Sequence, residues 1–301
     1  MAQVGLIGLG HMGHGIARNL LIKGHRLVFL DHPGNRPAGE ILSLGGRPAL
    51  SPAAVAGGAD AVILCVTGSP QVEAVLTAPD GVLSSLATGA TVIDCSTSLP
   101  HSTQRMAVLV AEAGGHYLDA PMTRTAQAAH EGRLNLLVGG EAGVLAAMRP
   151  VLDAFAEAVT HVGPIGAGHR MKLLHNYVSV GFLTILAEAA AQAREAGIAP
   201  GDLIAVLRAG GGASVALDRI EPFLTRGDRQ AMPFSIANAA KDLDYYVQMA
   251  TEAGAARMAA DGLRQALAHA VALGVGDATL PELAEILHEA FAGARPARFD
   301  P

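Results

Sequence analysis

The sequence predicts an α/β domain followed by an all-helical one, on three observations. Short β-like runs alternate with helical segments from Val4 to about Val162, and beyond Pro164 only helix-length segments follow. The chain, at 301 residues, is also long enough to bury two cores. The boundary is placed at Pro164, giving domains 1–164 and 165–301.

In order, the β-like runs are 4–7, 26–30, 61–66, 91–95, 117–119 and 135–138, with a last one expected near 159–162. This is the pattern of a parallel sheet with helical crossovers. The helical segments expected after it are 166–196, 200–209, 213–224, 237–253, 258–273 and 280–291, and 293–301 reads as a loose tail. Composition narrows the class. Apolar residues make up 50% and charged residues 16%, below the roughly 25% charged residues of an average soluble chain. A monomer would have little polar surface to offer water, so a homo-oligomer, dimer or tetramer, is expected. A net charge of -6 argues against nucleic acid as a partner, because phosphate binding needs clustered Lys and Arg. Cys65 and Cys95 each sit inside an apolar run and read as buried thiols in a reducing compartment. The first residues lack the basic and apolar regions of a signal peptide, and the apolar stretch 178–193 is cut by Ser179, Glu188 and Gln192. A soluble, cytoplasmic protein with no membrane span is the expectation.

Gly8-Leu9-Gly10-His11-Met12-Gly13 follows the first strand and opens a helix. Gly8 permits a tight turn, Gly10 lets backbone approach a pyrophosphate, and Gly13 lets helix and strand pack closely. A G-x-G-x-x-G is weak alone, but this one lies in a βαβ unit whose second strand ends at Asp31. A carboxylate there accepts both ribose hydroxyls and repels a 2′-phosphate, which points to NAD rather than NADP. Arg36, in the next loop, either reaches a phosphate or is simply solvated.

Ligands of open α/β sheets bind beyond the carboxyl ends of the strands. The residues leaving those ends are Val66-Thr67, Ser96-Thr97 and Pro121-Met122-Thr123-Arg124-Thr125. Ser96 and Thr97 can donate to a ribose or a substrate carboxylate, or else cap the next helix. Arg124, between two threonines, suits an anion held bidentately, with a structural salt bridge as the other reading. Further on, Lys172, His175, Asn176 and Ser179 fall at i, i+3, i+4 and i+7 in an otherwise apolar helix. A buried helix must turn such a stripe toward something polar, and a cleft between the domains satisfies that. A stripe on an exposed surface is the alternative. Lys172 can then exchange a proton with a substrate oxygen as hydride is transferred. His175 can bind substrate or simply pack, and no residue set has metal spacing.

Together these motifs resemble the β-hydroxyacid dehydrogenase (3-hydroxyisobutyrate dehydrogenase) family over essentially the whole chain. The matching elements are Ile7-Gly8-Leu9-Gly10-His11-Met12-Gly13; Asp94, Ser96 and Thr97; Asp119-Ala120-Pro121 with Gly132, Gly139 and Gly140; Lys172 with Asn176; and Lys241-Asp242-Leu243. The resemblance implies a Rossmann dinucleotide-binding domain followed by an all-α domain that builds the dimer. It implies Lys172 as the catalytic acid/base, Asn176 on the substrate, and Val66, Gln71, Thr97 and Lys241 on the cofactor. Most of the family carries Ser-Gly-Gly where this chain has Thr123-Arg124-Thr125. That substitution, with Lys172-Leu173-Leu174-His175-Asn176-Tyr177-Val178-Ser179, is similar to the sulfolactaldehyde reductase branch, in which an asparagine is usual at His175. The expected substrate is a small anionic 3-hydroxyacid, carboxylate or sulfonate, and its semialdehyde. An imine reductase and a non-catalytic dinucleotide-binding protein share the architecture; Lys172 and Asp31 speak against the first, and Lys172 against the second.

Overall fold

The structure is a computed structural model, and it describes residues 1–292. The expected tail lies outside the described residues. The described residues form two compact units that divide between Lys172 and Leu173, inside a helix and eight residues after the expected boundary at Pro164.

In the first unit the elements run β1 (Gln3–Ile7), α1 (His11–Ile22), β2 (Arg26–Leu30), α2 (Gly39–Ser43), β3 (Arg47–Ala49), α3 (Pro52–Ala56), β4 (Ala61–Leu64), α4 (Ser69–Thr77), β5 (Thr91–Asp94), α5 (Pro100–Glu112), β6 (His116–Asp119), β7 (Met122–Thr123), α6 (Ala126–His130), β8 (Leu134–Gly139), α7 (Ala142–Leu152) and β9 (Ala156–Gly163). They build one sheet in the order β3-β2-β1-β4-β5-β6-β8-β7, with β9 on β8. Strands β1 to β6 are mutually parallel, and β4 and β5 are buried at every residue, as strands covered on both faces must be. One face packs Leu6, Phe29, Ile63 and Ile93 against Ile16 and Leu20 of α1, and the other packs Ile7, Val62 and Val92 against Val72 and Val110 of α4 and α5.

The parallel sheet expected to about Val162 holds from β1 to β6 and changes direction at its far end. β8 runs antiparallel to both β6 and β7. Only Ala120 and Pro121 separate β6 from β7, too few residues for a crossover helix, so the chain runs on and returns as an antiparallel partner. Strand β3 is an addition to the expected elements: it has three residues with Pro48 at its centre, a composition tolerated only at the sheet edge where it lies.

Helix α8 (Ala167–Glu195) begins in the first unit and continues into the second, where α9 (Pro200–Ala209), α10 (Val215–Arg226), α11 (Ile236–Glu252), α12 (Met258–Ala272) and α13 (Leu283–Ala292) follow. By length and composition α8 is apolar enough to cross a bilayer, a longer helix than the interrupted apolar stretch suggests. Its Val180, Leu183, Ala187 and Ala191 are spent on the helical core with Leu217, Ile236, Leu243, Leu267 and Leu283.

The first turn of α8 is fixed to the sheet by buried polar groups. Asp119, closing β6, accepts from the Gly166 N–H at 2.8 Å and the His169 N–H at 2.9 Å, two of the donors a helix start leaves unpaired. Burial pushes the Asp119 carboxyl up, and the His169 ring and these N–H groups oppose that shift. In register on β5, Asp94 accepts from the Ser96 N–H, the Ser98 hydroxyl and the Tyr117 hydroxyl. The His169 ring lies between the two carboxylates, 3.7 Å from Asp94 and 3.9 Å from Asp119. Its Nε2 donates to the Ser96 carbonyl at 3.1 Å, and its Nδ1 meets the Thr103 hydroxyl at 2.7 Å. The approach demands glycine at 168, where a Cβ would lie 2.3 Å from the Leu137 carbonyl oxygen.

Replacing Asp119 by alanine leaves two buried N–H groups without their acceptor and should lower stability by about 2–4 kcal/mol in urea unfolding. Asp119→Asn, which keeps one acceptor oxygen, should fall between. A loss below about 1 kcal/mol would show that this cap is not what seats α8.

Candidate active site

The turn between β1 and α1 has the geometry its glycines require. Gly8 has φ +103°, and a Cβ there would sit 2.2 Å from the Cys65 carbonyl oxygen. At Gly13 a Cβ would lie 1.9 Å from the Gly8 carbonyl oxygen, whereas at Gly10 nothing stands within 4 Å. Gly10 is the N-cap of α1 and no side chain caps that end. The helix therefore starts with open space at Gly10 and side-chain-free N–H groups from His11 onward, which fits a pyrophosphate. Leu9 is buried, Met12 is half-buried and His11 is exposed. Asp31 is exposed directly after β2.

Around the strand ends, Ser96 is buried and its hydroxyl accepts from the Val66 N–H at 3.1 Å, tying the ends of β4 and β5 together. It does not cap the next helix: α5 begins at Pro100 with Leu99 as its N-cap. Thr97 is half-buried, and Thr67 and Gln71 are exposed, Gln71 in the first turn of α4. Thr123 belongs to β7, and Thr125 caps α6 through a bond from the Ala128 N–H at 3.3 Å. Between them Arg124 is the one non-glycine residue with positive φ among the described residues, at +81°. Its Nη1 donates to the Arg133 carbonyl at 2.9 Å and pairs with Glu157 of β9. The salt-bridge reading of Arg124 is thus realised through Nη1, and the Nε and Nη2 edge of the guanidinium is not part of it.

On α8 Lys172 is half-buried, one turn beyond the anchored His169. In the helical unit, Asn176 is buried and its amide is fixed from both ends. Its Oδ1 pairs with His175 Nδ1 at 2.9 Å, and its Nδ2 donates to Asp242 of α11 at 2.5 Å. Lys241 Nζ lies 3.0 Å from the other oxygen of Asp242 and 5.3 Å from the Tyr245 ring centroid. Tyr177 stacks on Tyr246 at 4.2 Å, joining the same two helices. Ser179 is half-buried a further turn along.

Three participants are not marked by local sequence pattern. Asp242 stood in the Lys-Asp-Leu motif with no role until it met Asn176. Asp119 was part of a motif but not recognisable as a helix cap. His169 falls off the polar stripe, and its only signal was a histidine in a glycine-rich helix start. The two cysteines offer no nucleophile. Burial, with Asp94 nearby, pushes the Cys65 thiol up to about 12, and burial holds Cys95 well above its ordinary value, so both stay protonated at neutral pH.

Residues 3–163 match the model described as the NAD binding domain of 6-phosphogluconate dehydrogenase, and residues 166–287 the model described as NAD-binding of NADP-dependent 3-hydroxyisobutyrate dehydrogenase. The NAD-dependent L-serine dehydrogenase of Pseudomonas aeruginosa is 34% identical over 223 residues, 74% of each chain. The 3-sulfolactaldehyde reductase of Escherichia coli is 36% identical over 190 residues, 63% of each. Among solved structures, the 3-hydroxyisobutyrate dehydrogenase of Mycobacterium tuberculosis, solved with L-serine, superposes with a TM-score of 0.84 at 26% identity, over 95% of this chain and 99% of that one. With a glycine turn built for a dinucleotide, an anchored lysine helix and relatives that share both domains, the chain belongs to the β-hydroxyacid dehydrogenase family and is an NAD(P)-binding oxidoreductase.

Proposed function

We propose that the protein interconverts a small anionic 3-hydroxyacid, carboxylate or sulfonate, and its semialdehyde, with NAD(H) preferred over NADP(H). The observation that carries this reading is the placement of Lys172 one turn past a buried cap that seats its helix on the ends of β5 and β6. A bound nicotinamide supplies or accepts the hydride. Lys172 gives a proton to the substrate oxygen in reduction and takes it back in oxidation. Asn176 uses one amide hydrogen on Asp242 and keeps the other for the substrate. Ser96 braces the rim, while Thr97, Val66, Thr67, Gln71 and Lys241 are assigned to the cofactor. Asp31 favours NAD because its carboxylate suits two ribose hydroxyls.

The strong anion is assigned to Arg124, flanked by Thr123 and Thr125. The edge left by the Glu157 pair can take a carboxylate or sulfonate through two parallel bonds. His175 and Ser179 complete the polar stripe on the substrate side. The Escherichia coli relative named a sulfolactaldehyde reductase supports the sulfonate option, and the Pseudomonas relative named a serine dehydrogenase supports the carboxylate one. The second unit is assigned to a homo-oligomer of cytoplasmic protein. Leu174, Val178, Phe182 and Ile185 form an exposed apolar line along α8, the face assigned to contact with a second copy of the chain. Phe182→Glu should shift the sedimentation coefficient toward the monomer; an unchanged oligomer would remove this face from the interface.

NADH oxidation is to be followed with sulfolactaldehyde, methylmalonate semialdehyde, succinate semialdehyde and tartronate semialdehyde. Lys172→Ala should lower kcat about 10²–10⁴-fold while NADH still binds. Arg124→Ala should raise KM for the anionic aldehyde roughly 10–100-fold and leave a neutral short aldehyde little changed. Full activity without Lys172, or equal effects of Arg124→Ala on charged and neutral aldehydes, would overturn these assignments.

A further inference from the structure

We infer that Asn35 sets the cofactor preference, by pinning the loop that carries Asp31 to the glycine turn. The inference rests on the reading that this turn holds a dinucleotide and that Asp31 meets its ribose. Asn35 Oδ1 accepts from the Leu9 N–H at 3.2 Å, and Asn35 Nδ2 donates to the Leu30 carbonyl at 2.8 Å. The next residue adds a third bond: the Arg36 N–H donates to the Leu9 carbonyl at 2.9 Å. Leu9 lies between Gly8 and Gly10, and Leu30 immediately precedes Asp31. One amide therefore spans the backbone beside the phosphate turn and the backbone beside the ribose-reading carboxylate.

The loop is closed on itself as well. The Asn35 N–H donates to the His32 carbonyl at 2.9 Å, the Gly34 N–H donates to His32 Nδ1 at 3.0 Å, and the Asp31 N–H donates to Ala49 of β3 at 2.8 Å. Asp31 leaves β2 on a short turn, and Asn35 is the side chain that attaches this turn to the cofactor-binding backbone. Arg36, the next residue, is exposed on the same turn.

Loss of the Asn35 amide has different consequences for the two cofactors. NADH loses the ribose bonds that a fixed Asp31 makes. NADPH is relieved of a carboxylate held against its 2′-phosphate. The pyrophosphate is common to both, so a defect confined to the glycine turn weakens both alike. The preference ratio therefore separates a role in specificity from a merely structural one.

The test is titration of the full-length chain with NADH and with NADPH, read by nicotinamide fluorescence, for the native protein, Asn35→Ala and Asn35→Leu. Asn35→Leu keeps the side-chain size without the bonds, and thermal melts report whether each variant is folded. For both variants the Kd for NADH should rise about tenfold, about 1.4 kcal/mol, while the Kd for NADPH changes less than about twofold or falls. In an Asp31→Ala background the effect of Asn35→Ala on the ratio should vanish, because the residue acts through Asp31. Equal weakening of both cofactors, an unchanged ratio, or an effect that persists without Asp31 overturns the inference. A native chain that binds neither cofactor would instead overturn the dinucleotide reading on which it rests.

Discussion

Two carboxylates end neighbouring parallel strands in register, both fully buried, and the seating of α8 follows from how they are satisfied. A buried, unpaired carboxylate is expensive, so each must collect donors. Asp94 draws them from its own rim, from Ser96, Ser98 and Tyr117. Asp119 draws them from the first turn of a helix that would otherwise begin with orphan N–H groups. Each defect cures the other. His169 then reaches back to the Ser96 carbonyl, so the helix bearing Lys172 and the rim bearing Ser96 and Thr97 are registered by one ring.

Such close approach depends on missing side chains as much as on bonds. Gly168 lets the first turn of α8 meet β8, and Gly139 lets that strand meet the Asp119 carboxylate. The glycines of the N-terminal turn follow a different division of labour. Gly8 and Gly13 are required by contacts within the protein, whereas Gly10 faces open space, and it is there that the backbone is available to a phosphate.

In the helical unit the same economy recurs with an amide in place of a carboxylate. Asn176 is held between His175 and Asp242, and Asp242 in turn meets Lys241, so a motif on α8 and a motif on α11 form one polar chain whose middle members, Asn176 and Asp242, are buried. A side chain fixed at both ends presents its remaining hydrogen in one direction.

The sequence by itself determined what local pattern and spacing can determine. Alternating apolar runs announced the strands, the order strand-glycine turn-helix announced the dinucleotide, and the i, i+3, i+4, i+7 spacing announced the stripe of Lys172, His175, Asn176 and Ser179. Each of these is a property of neighbours in the chain. The tertiary structure decided what depends on residues far apart. β7 and β8 turned antiparallel because too little chain separates β6 from β7 for a crossover. Asp119 became a helix cap only when Gly166 and His169, some fifty residues on, came within hydrogen-bond distance. Arg124 found Glu157, Asn176 found Asp242, and Asn35 found Leu9, and in each case the partner lies on another element. Periodicity places a side chain on a face, but the energy of burying a polar group is settled by the partner that arrives from elsewhere in the fold.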